Sequence, residues 1–117
     1  MASTISIYHN PRCSKSRQTL ALLAERGITP NIILYLKTPP QPEQLTDLLN
    51  KLDMAPRELL RTKETEFKEL GLSDSQLSDS SIIEAMANHP KLIERPIVVS
   101  GDQAAIGRPP ENVLKIL

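Results

Sequence analysis

Thiols and aromatic rings are scarce in this chain of 117 residues, which has one cysteine, one phenylalanine, two tyrosines and no tryptophan. A lone cysteine excludes an internal disulfide framework. So few rings leave no row of stacking platforms for nucleobases. Lysine plus arginine and aspartate plus glutamate number 14 each, so the net charge is zero and the broad basic face of a nucleic-acid binder is missing. No apolar run is long enough to span a bilayer, and no charged segment followed by an apolar one opens the chain, so neither a membrane span nor a secretory signal is expected. An unpaired cysteine without an export signal points to the reducing cytoplasm. Two histidines and one cysteine, widely spaced, do not make a metal site. The length suits a single domain, 1–117.

What is present gathers around Cys13, in the stretch Tyr8-His9-Asn10-Pro11-Arg12-Cys13-Ser14-Lys15-Ser16-Arg17. A strand-like run, Ile5 to Tyr8, precedes it and a helix-like run from Ser16 to about Arg26 follows. A cysteine at a strand-to-helix turn meets the unpaired N–H groups and positive end of the helix. Arg12, Lys15 and Arg17 add cations, and residues 1–24 hold no acid. Both effects favour thiolate over thiol and attract an oxyanion. Ser16, one helical turn on, is placed to turn its hydroxyl toward the sulfur. His9 at the strand end either tunes the thiolate or organises the turn. Because the chain has no second cysteine, an oxidised Cys13 must be resolved from outside, by glutathione or a dithiol protein.

Hydrophobic spacing gives the organisation. Thr4–Tyr8 reads as a strand. Residues 16–26 read as a helix with Leu20, Leu23 and Ala24 on one face, stopped by Gly27. Asn31–Leu36 is a continuous apolar run that suits a buried parallel strand. After the proline-rich loop, Pro42 opens a helix striped by Leu45, Leu48, Leu49 and Leu52. Pro56 opens a short helix through Leu59, Leu60 and Arg61. Residues 64–70 add a further turn or two before Gly71. Ser78 or Asp79 caps a helix carrying Ile82, Ile83 and Met86, which ends near His89-Pro90. Pro96 to Val99 reads as a strand, Ala104–Ile106 as its antiparallel return, and Glu111–Leu117 as a last helix. The order β-α-β, then helices, then β-β-α outlines an α/β, thioredoxin-like fold with a helical insertion, about 42–90, between its halves. In that fold a cis-proline precedes the third strand and faces the helix-start cysteine. Pro96 is the candidate, which sets Arg95 beside Cys13.

The motif His9-Asn10-Pro11-x-Cys13-x-x-Ser16-Arg17 resembles the active-site loop of the ArsC-type, glutaredoxin-dependent arsenate reductase family. The similarity continues in order through Ile32-Ile33-Leu34-Tyr35-Leu36, Leu59-Leu60-Arg61, Gly71-Leu72, His89-Pro90 and Arg95-Pro96-Ile97-Val98-Val99 to Arg108-Pro109. The resemblance implies that Cys13 attacks arsenate and that His9 and Ser16 act on its thiolate. It also implies that Arg61, Arg95 and Arg108, with Asn10, bind the oxyanion. Glutathione is the implied co-substrate and glutaredoxin the implied protein partner, with no bound cofactor. Ser14-Lys15 depart from the small neutral residues that follow the cysteine in plasmid-borne members. Two alternatives keep the fold. One is a redox-sensing, protein-binding regulator like the Spx proteins, against which the missing second cysteine and the retained arginines weigh. The other is a glutathione-linked thiol transferase with a different substrate.

Overall fold

Ile5–Tyr8 forms strand β1 in the computed structural model, which describes residues 4–117. Three further strands join it: β2 (Asn31–Ile33), β3 (Ile97–Ser100) and β4 (Gln103–Ile106), in the spatial order β2-β1-β3-β4. β1 runs parallel to β2, with Ile7 opposite Ile32, and antiparallel to β3, with Ile7 opposite Val98. β3 and β4 close as an antiparallel hairpin in which Ser100 faces Gln103. Between β1 and β2 lies helix α1 (Ser14–Glu25). The β-α-β and β-β halves carry the thioredoxin-like topology expected from the sequence.

The chain divides into two compact units. One holds the residues up to Thr38 together with Arg95–Leu117, and the other is Pro39–Glu94, where the sequence placed an insertion at about 42–90. The first unit packs Ile7 of β1, Leu23 of α1, Val98 of β3, Ala105 of β4 and Val113 into one cluster, bordered by Leu20, Ile28 and Ile116. Burying each of the larger aliphatic side chains stabilises the fold by roughly 1.5–3 kcal/mol. Helix α1 ends as its sequence predicts. Gly27 takes φ 73°, its N–H donates to Ala24 O, and the N–H of Ile28 donates to Leu23 O at 2.9 Å. This left-handed cap is one that glycine adopts without a Cβ penalty.

Three expectations are corrected within this unit. The buried face of α1 is Ser16, Thr19 and Leu23, with Leu20 half-buried, and Ala24 is exposed. Positions 16, 19, 20 and 23 share one side of the helix, and residue 24 lies one step of about 100° beyond 23. The run Asn31–Leu36 is not a long buried strand. Only Asn31–Ile33 pairs, at the edge of the sheet, and Ile32 is 47% exposed. The chain turns at Leu34, whose carbonyl accepts the N–H groups of Lys37 and Thr38 at 2.9 Å each. The last element, Pro110–Ile116, is a 3₁₀ helix.

The second unit is helical: α2 (Pro42–Leu52), α3 (Pro56–Leu59), α4 (Thr65–Glu69) and α5 (Asp79–Asn88), then a 3₁₀ turn, Pro90–Leu92. Pro42 sits in the first turn of α2, whose Leu45, Leu48 and Leu49 are buried and whose Leu52 is half-buried. The hydroxyl of Ser78 caps α5 by accepting from the N–H of Ser81. Both α2 and α3 pack against α5. Among the described residues no helix is long and apolar enough to cross a membrane.

Candidate active site

The loop between β1 and α1 is held by its own polar atoms. The N–H of His9 donates to Ile33 O at 2.9 Å, which extends the β1–β2 ladder into the loop. Asn10 accepts the N–H of Cys13 on its carbonyl and the N–H of Arg12 on Oδ1, both at 3.0 Å. Arg17 reaches back from α1 and donates through Nη1 to Pro11 O at 2.9 Å. These bonds fix the turn that delivers Cys13 to the N-cap of α1, where its backbone is extended (φ −93°, ψ 123°) and its carbonyl accepts the N–H of Arg17. The residue is buried, 8% exposed.

A polar contact of the sulfur comes from the far end of the chain. Arg108 Nη2 lies 3.6 Å from Cys13 Sγ, and Arg108 Nε donates to the backbone carbonyl of Arg95 at 2.8 Å. One guanidinium therefore ties three segments together: the loop before α1, the segment leading into β3 and the segment following β4. The Arg95–Pro96 and Arg108–Pro109 bonds are both cis. Pro96 was the expected cis position; Pro109 was not expected.

His9 and Ser16 form a second, buried group. His9 Nδ1 and Ser16 Oγ are 2.6 Å apart, and Ser16 Oγ also accepts the N–H of Asn10 at 3.0 Å. The serine hydroxyl is thus turned to His9 and Asn10, with no hydrogen bond to the sulfur. Burial lowers the pKa of His9 below its ordinary value of 6.5, and the nearby charge of Arg17 lowers it further. Both causes favour the neutral ring.

Arg61 belongs to the second unit. Its N–H donates to Leu92 O at 2.7 Å, and its guanidinium lies 3.9 Å from both Glu64 and Glu94. Its Nη1 is buried and has no hydrogen-bond partner among the described residues.

Two residues of this region escape inspection of the sequence. Gly107, just before Arg108, packs so closely that a Cβ there would lie 2.4 Å from Thr19 Oγ1 and 2.8 Å from Pro96 Cγ. Thr19 is itself fixed, fully buried and donating to Lys15 O at 2.8 Å. A glycine at the end of a strand is the one signal that hinted at such an approach.

Chemically, the arrangement offers a sulfur at a helix start, a guanidinium in contact with it, and a rigid loop between them. The chain as a whole is similar to known proteins. Residues 8–116 match the profile of the ArsC family. The chain is 56% identical, over its full length and 99% of the relative, to the uncharacterized protein YfgD of Escherichia coli strain K12. It is 49% identical to an arsenate reductase of Neisseria meningitidis, covering 97% of each chain. A solved structure of an arsenate reductase from Vibrio cholerae superposes with a TM-score of 0.97 at 57% identity, covering 100% of both chains.

Proposed function

The chain belongs to the ArsC family, and from that premise we propose that it reduces arsenate to arsenite, with Cys13 as nucleophile and glutathione and glutaredoxin as external thiols. The observation that carries the reading is the 3.6 Å contact between Arg108 and the sulfur of Cys13 at the start of α1. The arsenate reductase relatives at 49% and 57% identity support it.

Arsenate is a tetrahedral oxyanion, the shape and charge that guanidinium groups and helix-start N–H groups bind. The Cys13 thiolate attacks arsenic. An S–As bond forms, an As–O bond breaks, and the displaced oxygen leaves as water after protonation by solvent. The thiolate of glutathione then attacks the Cys13 sulfur. An S–S bond forms, the electron pair of the S–As bond passes to arsenic, As(V) becomes As(III), and arsenite departs. Glutaredoxin exchanges its thiol into the Cys13–glutathione disulfide and returns Cys13 to its starting state. Arg108 holds the negative charge on the arsenic oxygens as sulfur approaches, joined by Arg95, the role the family resemblance implies for it. His9 and Ser16 keep the loop in register through their mutual hydrogen bond and the N–H of Asn10.

The test is NADPH oxidation coupled through glutathione reductase, with glutaredoxin and glutathione present. Arsenate stimulates oxidation by the wild-type protein, and Cys13→Ser abolishes the stimulation while leaving the circular dichroism spectrum intact. Turnover of a small mixed disulfide with no response to arsenate would assign the chain to thiol transfer and refute the reading.

A further inference from the structure

We propose that the cavity between the loop 9–12 and the turn 34–37 is the docking site for glutathione. The proposal rests on the arsenate reduction argued above and assigns its small thiol a place. The cavity encloses about 360 Å³, within the size range of small-molecule sites. Its walls combine two chemistries. Pro11, Leu34 and Leu36 line it with hydrocarbon, and Leu36 is 38% exposed although apolar. Arg12 and Lys37 line it with positive charge, and neither makes an ion pair among the described residues.

A single tetrahedral oxyanion has no use for a hydrocarbon floor of this size. Glutathione matches it: an anionic tripeptide whose methylenes cover Leu34, Leu36 and Pro11 while its terminal carboxylates face Arg12 and Lys37. The wall is preformed, because Asn10 Oδ1 holds the N–H of Arg12 and Arg17 holds the carbonyl of Pro11. Cys13 follows Arg12 directly in the chain, so the cavity is walled by the same loop that leads to the sulfur. A chain with one cysteine needs that external thiol at every turnover. A concave cavity of this volume takes a small molecule rather than a protein face.

Two measurements test the assignment. The first is steady-state kinetics of Lys37→Glu combined with Leu36→Asp, both exposed positions. The KM for glutathione rises about tenfold or more, the loss of one charge-assisted contact, while the KM for arsenate stays within about twofold. An unchanged KM for glutathione, a parallel rise in both constants, or a rise confined to the KM for glutaredoxin overturns the proposal. The second needs no arsenate: amide shifts in the wild-type protein titrated with S-methylglutathione, which has no free thiol. Shifts at residues 9–12 and 34–37 support the site even if arsenate is never reduced. Arsenate turnover without such shifts leaves the reductase standing and removes the site.

Discussion

Gly107→Ala is expected to loosen the site from a position that never touches substrate. The added Cβ would stand 2.4 Å from Thr19 Oγ1, 3.1 Å from Thr19 Cγ2 and 2.8 Å from Pro96 Cγ. None of these atoms yields easily. Thr19 is fully buried with its hydroxyl spent on Lys15 O, and the N–H of Gly107 is tied to Pro96 O at 2.9 Å. The end of β4 must therefore move, and Arg108 is the next residue. Overpacking of this kind costs about 1–3 kcal/mol. At about 4 °C per kcal/mol for a chain of this size, the melting temperature falls by about 4–12 °C. Displacement of Arg108 lowers kcat/KM for arsenate at temperatures where the variant is fully folded. Thr19→Ala removes two of the three clashes, so the double variant recovers part of both losses. The assay is a double-mutant cycle read by thermal melting and by arsenate kinetics. The expected coupling is about 0.5–3 kcal/mol in favour of the pair. A Gly107→Ala protein with wild-type melting temperature and kinetics, or strictly additive losses, would refute the reasoning.

Other consequences follow from the same contacts. Arg108→Lys keeps the charge but offers one nitrogen where the native residue bonds Arg95 O and Cys13 Sγ at once, so kcat/KM for arsenate falls roughly 10²-fold with the melting temperature little changed. His9 titrates below its ordinary value in the folded protein, chiefly by burial and then by the charge of Arg17. The unfolded chain therefore takes up that proton first. Its contribution to stability is complete above about pH 6.5 and is lost as pH falls toward the folded-state value. Urea denaturation of His9→Gln across that range should show a flatter dependence on pH than wild type. Arg61→Ala removes two ion pairs at 3.9 Å and costs stability of no more than about 1 kcal/mol. A large loss of arsenate turnover in that variant then reports on substrate binding, the role the family resemblance implies, and unchanged turnover removes Arg61 from the site.

Local signals in the chain carried the elements whose cause is local. Gly27 marks a left-handed cap, Pro42 a helix start, and the leucines of α2 a buried stripe, and each can be read from a few neighbouring residues. The length of β2 could not be read that way. Asn31–Leu36 is uniformly apolar, and where pairing stops depends on the sheet edge and on the turn that Leu34 O accepts. The orientation of α1 was misjudged at Ala24 because the buried face includes Ser16 and Thr19, polar residues that a hydrophobic count passes over. Cys13 stood out as the single thiol of the chain. Its contact with Arg108 spans 95 positions, and no periodicity reports a contact over such a separation; only the family resemblance placed Arg108 at the site. The setting of Ser16 likewise depends on residues outside its own helix. Helical spacing alone allowed it to face Cys13, whereas the buried ring of His9 and the N–H of Asn10 take its hydroxyl.

The most direct test of the account is the rate at which iodoacetamide modifies Cys13 with and without saturating arsenate, in the absence of glutathione. If the sulfur and Arg108 share one oxyanion site, arsenate slows alkylation of the wild-type protein and has no effect on Arg108→Ala. Equal alkylation rates in wild type with and without arsenate would contradict it.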